Sequence, residues 1–129
     1  TAFTGDLLVL GSTVVIPASH GGVLAEYLAS LRRVAALGIT RALPAHGPAI
    51  EDPQALIAHY LAHRAQREAQ VLDALSHGDV TPRAIASRIY PGLTAALVAQ
   101  SEDSVLAHLE KLRADGRAAH DAAGWRLAT

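Results

Sequence analysis

Two residues in this chain have the types and settings that do chemistry. His46 stands in "RALPAHGPAI", residues 41 to 50, fenced by Pro44, Gly47 and Pro48. Asp6 stands in "FTGDLLVL", residues 3 to 10, between Gly5 and an apolar run. Each sits where a strand-like stretch gives way to a loop, and in layered α/β domains sites gather at that edge. A carboxylate and a neutral imidazole suit Zn²⁺, Mn²⁺ or Fe. The prolines stiffen the loop, so the imidazole loses little freedom on binding, and Gly5 lets backbone come close to a ligand. There is no cysteine, so a metal must be held by His, Asp or Glu. Two ligands do not make a site. On spacing alone a plainer reading stays open, in which Asp6 accepts turn hydrogen bonds and His46 is a loop histidine.

The other polar candidates are weaker. His59 and His63 are four apart, a helical spacing that can bind metal, but no acidic third ligand follows them, which favours a solvated helix face. His63, with Arg64 and Arg67, is a candidate to face a substrate or brace a domain junction. His20, in the loop "ASHGG", is a second candidate substrate contact. His77, His108 and His120 read as surface residues. Tyr60 and Tyr90 read as packing residues, and Trp125 as the anchor of a terminal hairpin.

Elements able to position Asp6 and His46 are legible around them. Phe3 and "LLVL", residues 7 to 10, read as a buried strand or strand edge. Residues 23 to 37 read as a helix with Leu24, Leu28, Leu31 and Ala35 on one face, widened by Tyr27, Val34 and Leu37, and Gly38 stops it. "ITRALPA" is a short strand that delivers His46 into its turn. Asp52 caps the next helix, with Pro53 first in it, and that helix runs to about Ser76 before Gly78. Its apolar stripe is read as Ile57, Leu61, Ala65, Leu72 and Leu75, with His59, His63, Arg64 and Arg67 opposite.

From Val80 the texture changes. Thr81 caps a short helix with Pro82 at its first position, "PGL" breaks it, and one or two helices follow to Gly116. Val105, Leu106, Leu109 and Leu112 form their buried face. "RAAHDAAGWRLA" reads as two strands around a turn at Ala123 and Gly124. Helices followed by a hairpin in about fifty residues is the winged-helix plan.

The 129 residues suit one domain or two small ones, and a formal net charge of −1 implies neither a polyanion nor a membrane surface as partner. Half the residues are apolar but few are aromatic, so the core is aliphatic. The arginine-rich, alanine-rich composition points to a bacterial source. No apolar run reaches the roughly 18 residues of a membrane helix, and no leader pattern opens the chain, which makes a cytoplasmic protein the expectation. The start at Thr1, straight into a strand-like run, reads as a piece of a longer chain.

"FTGD", followed forty residues later by "LPAHGP", resembles the last two metal-ligand motifs of the metallo-β-lactamase-fold hydrolases. The helix signature "HRAQREAQVL", His63 to Leu72, and the winged-helix-like tail resemble the branch with glyoxalase-II-like and β-lactamase-like-2 proteins. The resemblance implies an α/β fold, the second half of an αββα sandwich, followed by a mainly helical winged-helix-like domain. The division expected is 1–52 for the sandwich part, 53–78 for a connecting helix and 79–129 for the winged-helix part.

It also implies that Asp6 bridges two metal ions, most simply zinc with manganese or iron as alternatives, and that His46 holds one of them. The motif H-x-H-x-D-H and a further single histidine of the family are absent. The chain alone is therefore expected to be inactive, with the missing N-terminal half of the sandwich as its partner and a partner segment, a homodimer or a strand exchange covering the exposed strand edges. The complete protein is expected to hydrolyse a small-molecule thioester or ester with metal-activated water. The alternatives are a non-catalytic winged-helix interaction module and a metal-dependent endoribonuclease on single-stranded RNA. Duplex DNA is not an expected partner: residues 94 to 115, the recognition segment, hold Glu102, Asp103, Glu110 and Asp115 against Lys111 and Arg113.

Overall fold

A β-strand and a helix precede the His46 strand, as the motif order requires. The computed structural model describes residues 2–5 and 24–129. Its elements are β1 (Ala2–Gly5), α1 (Leu24–Ala36), β2 (Ala42–Pro44), α2 (Pro53–Ser76), α3 (Pro82–Ile89), α4 (Ala95–Ala114), β3 (Ala118–Asp121) and β4 (Gly124–Leu127). Asp6, the run at 7–10 and His20 lie outside the described residues. Among the described residues, 2–5 and 25–65 form one unit, and Leu24 with 66–129 form a second, so α2 belongs to both.

In the first unit β1 and β2 pair in parallel. The helical face read from sequence holds in its centre, with Leu28 5% and Leu31 0% exposed. It does not extend to Leu37, which lies past the end of α1 and is 72% exposed. Phe3 also departs from the expected buried strand. It is 87% exposed, because a strand of a two-stranded sheet has one face with nothing among the described residues to cover it.

The start of α2 follows its sequence signals. The Asp52 carboxylate accepts the Ala55 N–H at 3.1 Å, and Pro53 takes the first turn, where a missing N–H is harmless. Its end follows them too. Gly78 has φ 90, Gly78 N–H donates to the Leu75 carbonyl and Asp79 N–H to the Ala74 carbonyl. That pair of bonds satisfies carbonyls the helix leaves open, and it needs a residue at ease with positive φ.

The phase of α2 differs from the expected stripe. The buried positions are Ile57, Tyr60 and Arg64 in the first unit, then Val71, Ala74 and Leu75 in the second. Ala65 is exposed and Leu61 and Leu72 only half-buried, whereas Arg64 is 7% exposed. The physical reason is that a guanidinium can enter a seam when an aromatic face receives it. Arg64 lies 5.9 Å from the Tyr27 ring centroid, and in the second unit Arg67 lies 4.6 Å from that of Tyr90. The aliphatic stem of each supplies apolar packing on the way.

The second unit is a helix–helix–hairpin assembly on one apolar cluster. Val71 and Leu75 of α2, Ile85 of α3, Leu109 and Leu112 of α4 and Trp125 of β4 are its main members. Thr81 Oγ1 accepts the Ala84 N–H at 3.1 Å, as the cap at Thr81 predicts, and α4 is one continuous helix. The hairpin pairs Ala118 with Leu127 and Asp121 with Gly124. Its turn is therefore at Ala122 and Ala123, one residue earlier than expected, and the Asp121 carboxylate holds it by accepting the Ala123 N–H at 2.9 Å. His108 is a further correction. It is 2% exposed rather than on the surface, its Nδ1–H donating to the Ser104 carbonyl one turn back at 2.9 Å.

Candidate metal centre

The parallel register decides which residues share an edge. Ala2 pairs with Ala42, Phe3 with Leu43 and, after an irregularity, Gly5 with Pro44. Both strands therefore end at the same edge of the sheet. His46 is two residues beyond Pro44, and Asp6 directly follows Gly5 in the chain. The structure thus brings the strand that leads to Asp6 beside the strand that leads to His46.

Why the imidazole stands on so stiff a turn is visible at the base of its loop. Ala42 N–H donates to the Ile50 carbonyl at 2.9 Å, and Ile50 N–H returns to the Ala42 carbonyl at 2.8 Å. Ala42 is 0% and Ile50 2% exposed, so these bonds are buried. One step outside them Arg41 Nε donates to Glu51 Oε1 at 3.2 Å. Residues 43–49 form a closed loop with Gly47 at φ 88, and His46 is exposed on it.

A divalent metal fits this donor set in kind. An exposed imidazole on a pinned loop, at the strand edge adjoining the one that runs into a carboxylate, is borderline ligand chemistry of the sort zinc takes. In number the set is short: among the described residues no group of three or more His, Cys, Asp or Glu could hold an ion.

His63 is half-buried on α2, and His59 is exposed with its ring tilted 46° to that of Tyr60. What spacing alone missed is Arg64. It lies under Tyr27, whose phenol burial pushes up to about 12 against the opposing pull of the Arg64 charge. The 57–60–64 alternation of three and four carried the signal, and only the charge of residue 64 hid it.

In the second unit most cations already face a carboxylate. Arg83 meets Glu102, Arg88 meets Asp79, Lys111 meets both Glu68 and Asp115, Arg113 meets Glu110 and Arg126 meets Asp121. Arg88 holds the Asp79 carboxyl below the usual range through its hydrogen bond. Phosphate recognition needs cations free to displace counterions, and these are engaged by their own chain.

Residues 81–125 match the family described as "Beta-lactamase associated winged helix domain". A β-lactamase-like protein 2 homolog of Caenorhabditis elegans is 29% identical over 115 residues, which is 88% of this chain and 37% of that protein. A β-lactamase domain protein from Burkholderia ambifaria superposes with a TM-score of 0.77 at 24% identity, over 98% of this chain and 41% of that one. A metallo-β-lactamase family protein from Thermus thermophilus gives 0.69 at 23% identity, over 96% and 40%. The chain thus spans about two fifths of the length of these proteins. Its fold is that of part of the metallo-β-lactamase fold, and residues 81–125 match a winged-helix domain family.

Proposed function

We propose that this chain supplies Asp6 and His46 as metal ligands of a hydrolase acting on a small-molecule thioester or ester. The parallel register that sets the His46 loop beside the strand running into Asp6 is the observation that carries this reading. Zinc, as a two-ion centre, is the metal favoured by a carboxylate–imidazole set without thiolates. The centre needs more donors than the described residues offer, and we take them to come from a preceding segment of a longer protein. When bound, the metal supplies Lewis acidity that activates water and polarises the scissile carbonyl.

The chain's own residues bind and orient. His46 donates one nitrogen from a loop pinned at its base, so little entropy is lost when it ligates. Asp6 contributes the negative charge that offsets repulsion between two dications. His20 and His63 are proposed as substrate contacts. The winged-helix domain does not read duplex DNA, because most of its cations are internally paired.

Hydrolysis of a thioester and ester panel by the full-length protein tests this. Expected is turnover that a chelator abolishes and added zinc restores. Equal rates with and without chelator would overturn the metal role. Cleavage of single-stranded RNA with no ester turnover would move the substrate class to phosphodiesters.

A further inference from the structure

The base of the His46 loop is built more firmly than a surface turn requires, with two rungs of different chemistry. We infer that the ion pair Arg41–Glu51, with the paired hydrogen bonds of Ala42 and Ile50, is a clasp that positions His46 for its metal. This rests on the reading of His46 as a ligand.

The geometry is that of a stem closing a loop. The inner rung is the two-way hydrogen bonding of Ala42 and Ile50 at 2.9 and 2.8 Å, between residues shielded from water. The outer rung is Arg41 to Glu51 at 3.2 Å, with side chains 49% and 74% exposed. Immediately beyond it Asp52 caps α2, so the exit of the loop is fixed to a helix start. The entry is fixed by the parallel pairing of β2 to β1. Between these anchors the loop has one width at its mouth.

An exposed ion pair contributes little to the stability of a whole domain. At a loop mouth it has a different lever. A ligand must be held within about 0.5 Å of its productive place. A loop that can splay must be reordered each time it binds, and that cost appears in the affinity. Arg41 and Glu51 pair with each other at the loop mouth and are not themselves ligand candidates, so they are positioning residues, and their effect should appear in metal affinity more than in melting temperature.

The experiment uses the full-length protein, with zinc affinity measured by competition against a chelator and ligand geometry read from the visible spectrum of the cobalt-substituted protein. Arg41→Ala and Glu51→Gln should each weaken zinc by about 2- to 5-fold, the scale of an exposed pair, and alter the cobalt bands. The swap Arg41→Glu with Glu51→Arg should recover most of that loss. Ile50→Pro, which removes the inner N–H, should weaken zinc by about 3- to 10-fold, as for one hydrogen bond. Arg83→Ala breaks a comparable pair in the other unit and should leave zinc affinity at the wild-type value.

Wild-type affinity and spectra in both single variants would overturn the clasp. So would losses that the swap does not recover. If His46→Ala keeps full affinity, the ligand reading itself fails and the clasp falls with it, whereas loss in His46→Ala with none in the pair variants removes the clasp alone.

Discussion

At the scale of single residues, Gly124 shows how a small side chain can be obligatory. A Cβ there would lie 2.7 Å from the Val80 carbonyl oxygen and 2.9 Å from Val80 Cβ, and the backbone has φ 113. The same Val80 carbonyl accepts the Trp125 N–H at 2.9 Å, so the close approach anchors β4 to the segment before α3. Gly124→Ala should therefore destabilise the second unit by about 1–3 kcal/mol in urea titration, and a change under about 0.5 kcal/mol would show that Val80 moves aside freely. Leu109 is 0% exposed within the apolar cluster. Leu109→Ala should cost about 2–5 kcal/mol, the transfer term plus the cavity it leaves. Trp125 fluorescence in the same titration reports both, since that ring is 4% exposed and stacked on His120 at 4.5 Å.

At the scale of elements, what was legible in sequence is what local chemistry decides. Asp52, Thr81 and Gly78 act on backbone groups a few residues away, so their caps could be read without knowing the fold. The burial of Arg64 depends on Tyr27, which lies on another helix, and that of His108, 2% exposed, is set by its place in the fold rather than by its residue type. A pattern that scores charge as exposure therefore shifts the stripe of α2 by one position. The hairpin turn moved by one residue for a similar reason. The contact of Gly124 with Val80 draws that glycine into β4, a constraint absent from the turn's own residues.

The half-buried Tyr27 gives the first unit a pH signature. Its folded pKa is raised to about 12 from the ordinary 10.0, mainly by burial. The folded chain then keeps a proton that the unfolded chain loses, so stability falls as pH rises from about 10 towards 12 and is unaffected by this group below that window. Tyr27→Phe should flatten the loss between those values and remove the latest phase of tyrosinate absorbance. An unchanged alkaline profile in that variant would show that the phenol is ordinarily solvated.

At the scale of the whole molecule, the order of elements among the described residues from 24 onwards was legible: helix, strand, long helix, then two helices and a hairpin. The candidate site was legible only as two residues with a suggestive spacing. Parallel pairing of β1 with β2 is a non-local fact, and it is what sets the two strand ends side by side. The electrostatic case against nucleic acid also needed the fold, because Lys111 meets Glu68 across forty-three residues. Saturable sub-micromolar binding of duplex DNA should be absent in a gel shift at ~150 mM salt, the regime in which specific binders still hold. Binding that is lost in Lys111→Ala with Arg113→Ala would contradict the internal pairing. Among the described residues no helix is long and apolar enough to cross a membrane.

The central claim, that Asp6 and His46 hold the metal, is most directly tested by metal content per chain in the full-length protein and its two single variants. Both His46→Ala and Asp6→Ala should lower it, with circular dichroism near wild type. Asp6→Ala should fall further, because a carboxylate shared by two dications offsets repulsion for both, whereas an imidazole serves one. Wild-type metal content in both variants would contradict the claim and return Asp6 and His46 to the roles of a turn residue and a loop histidine.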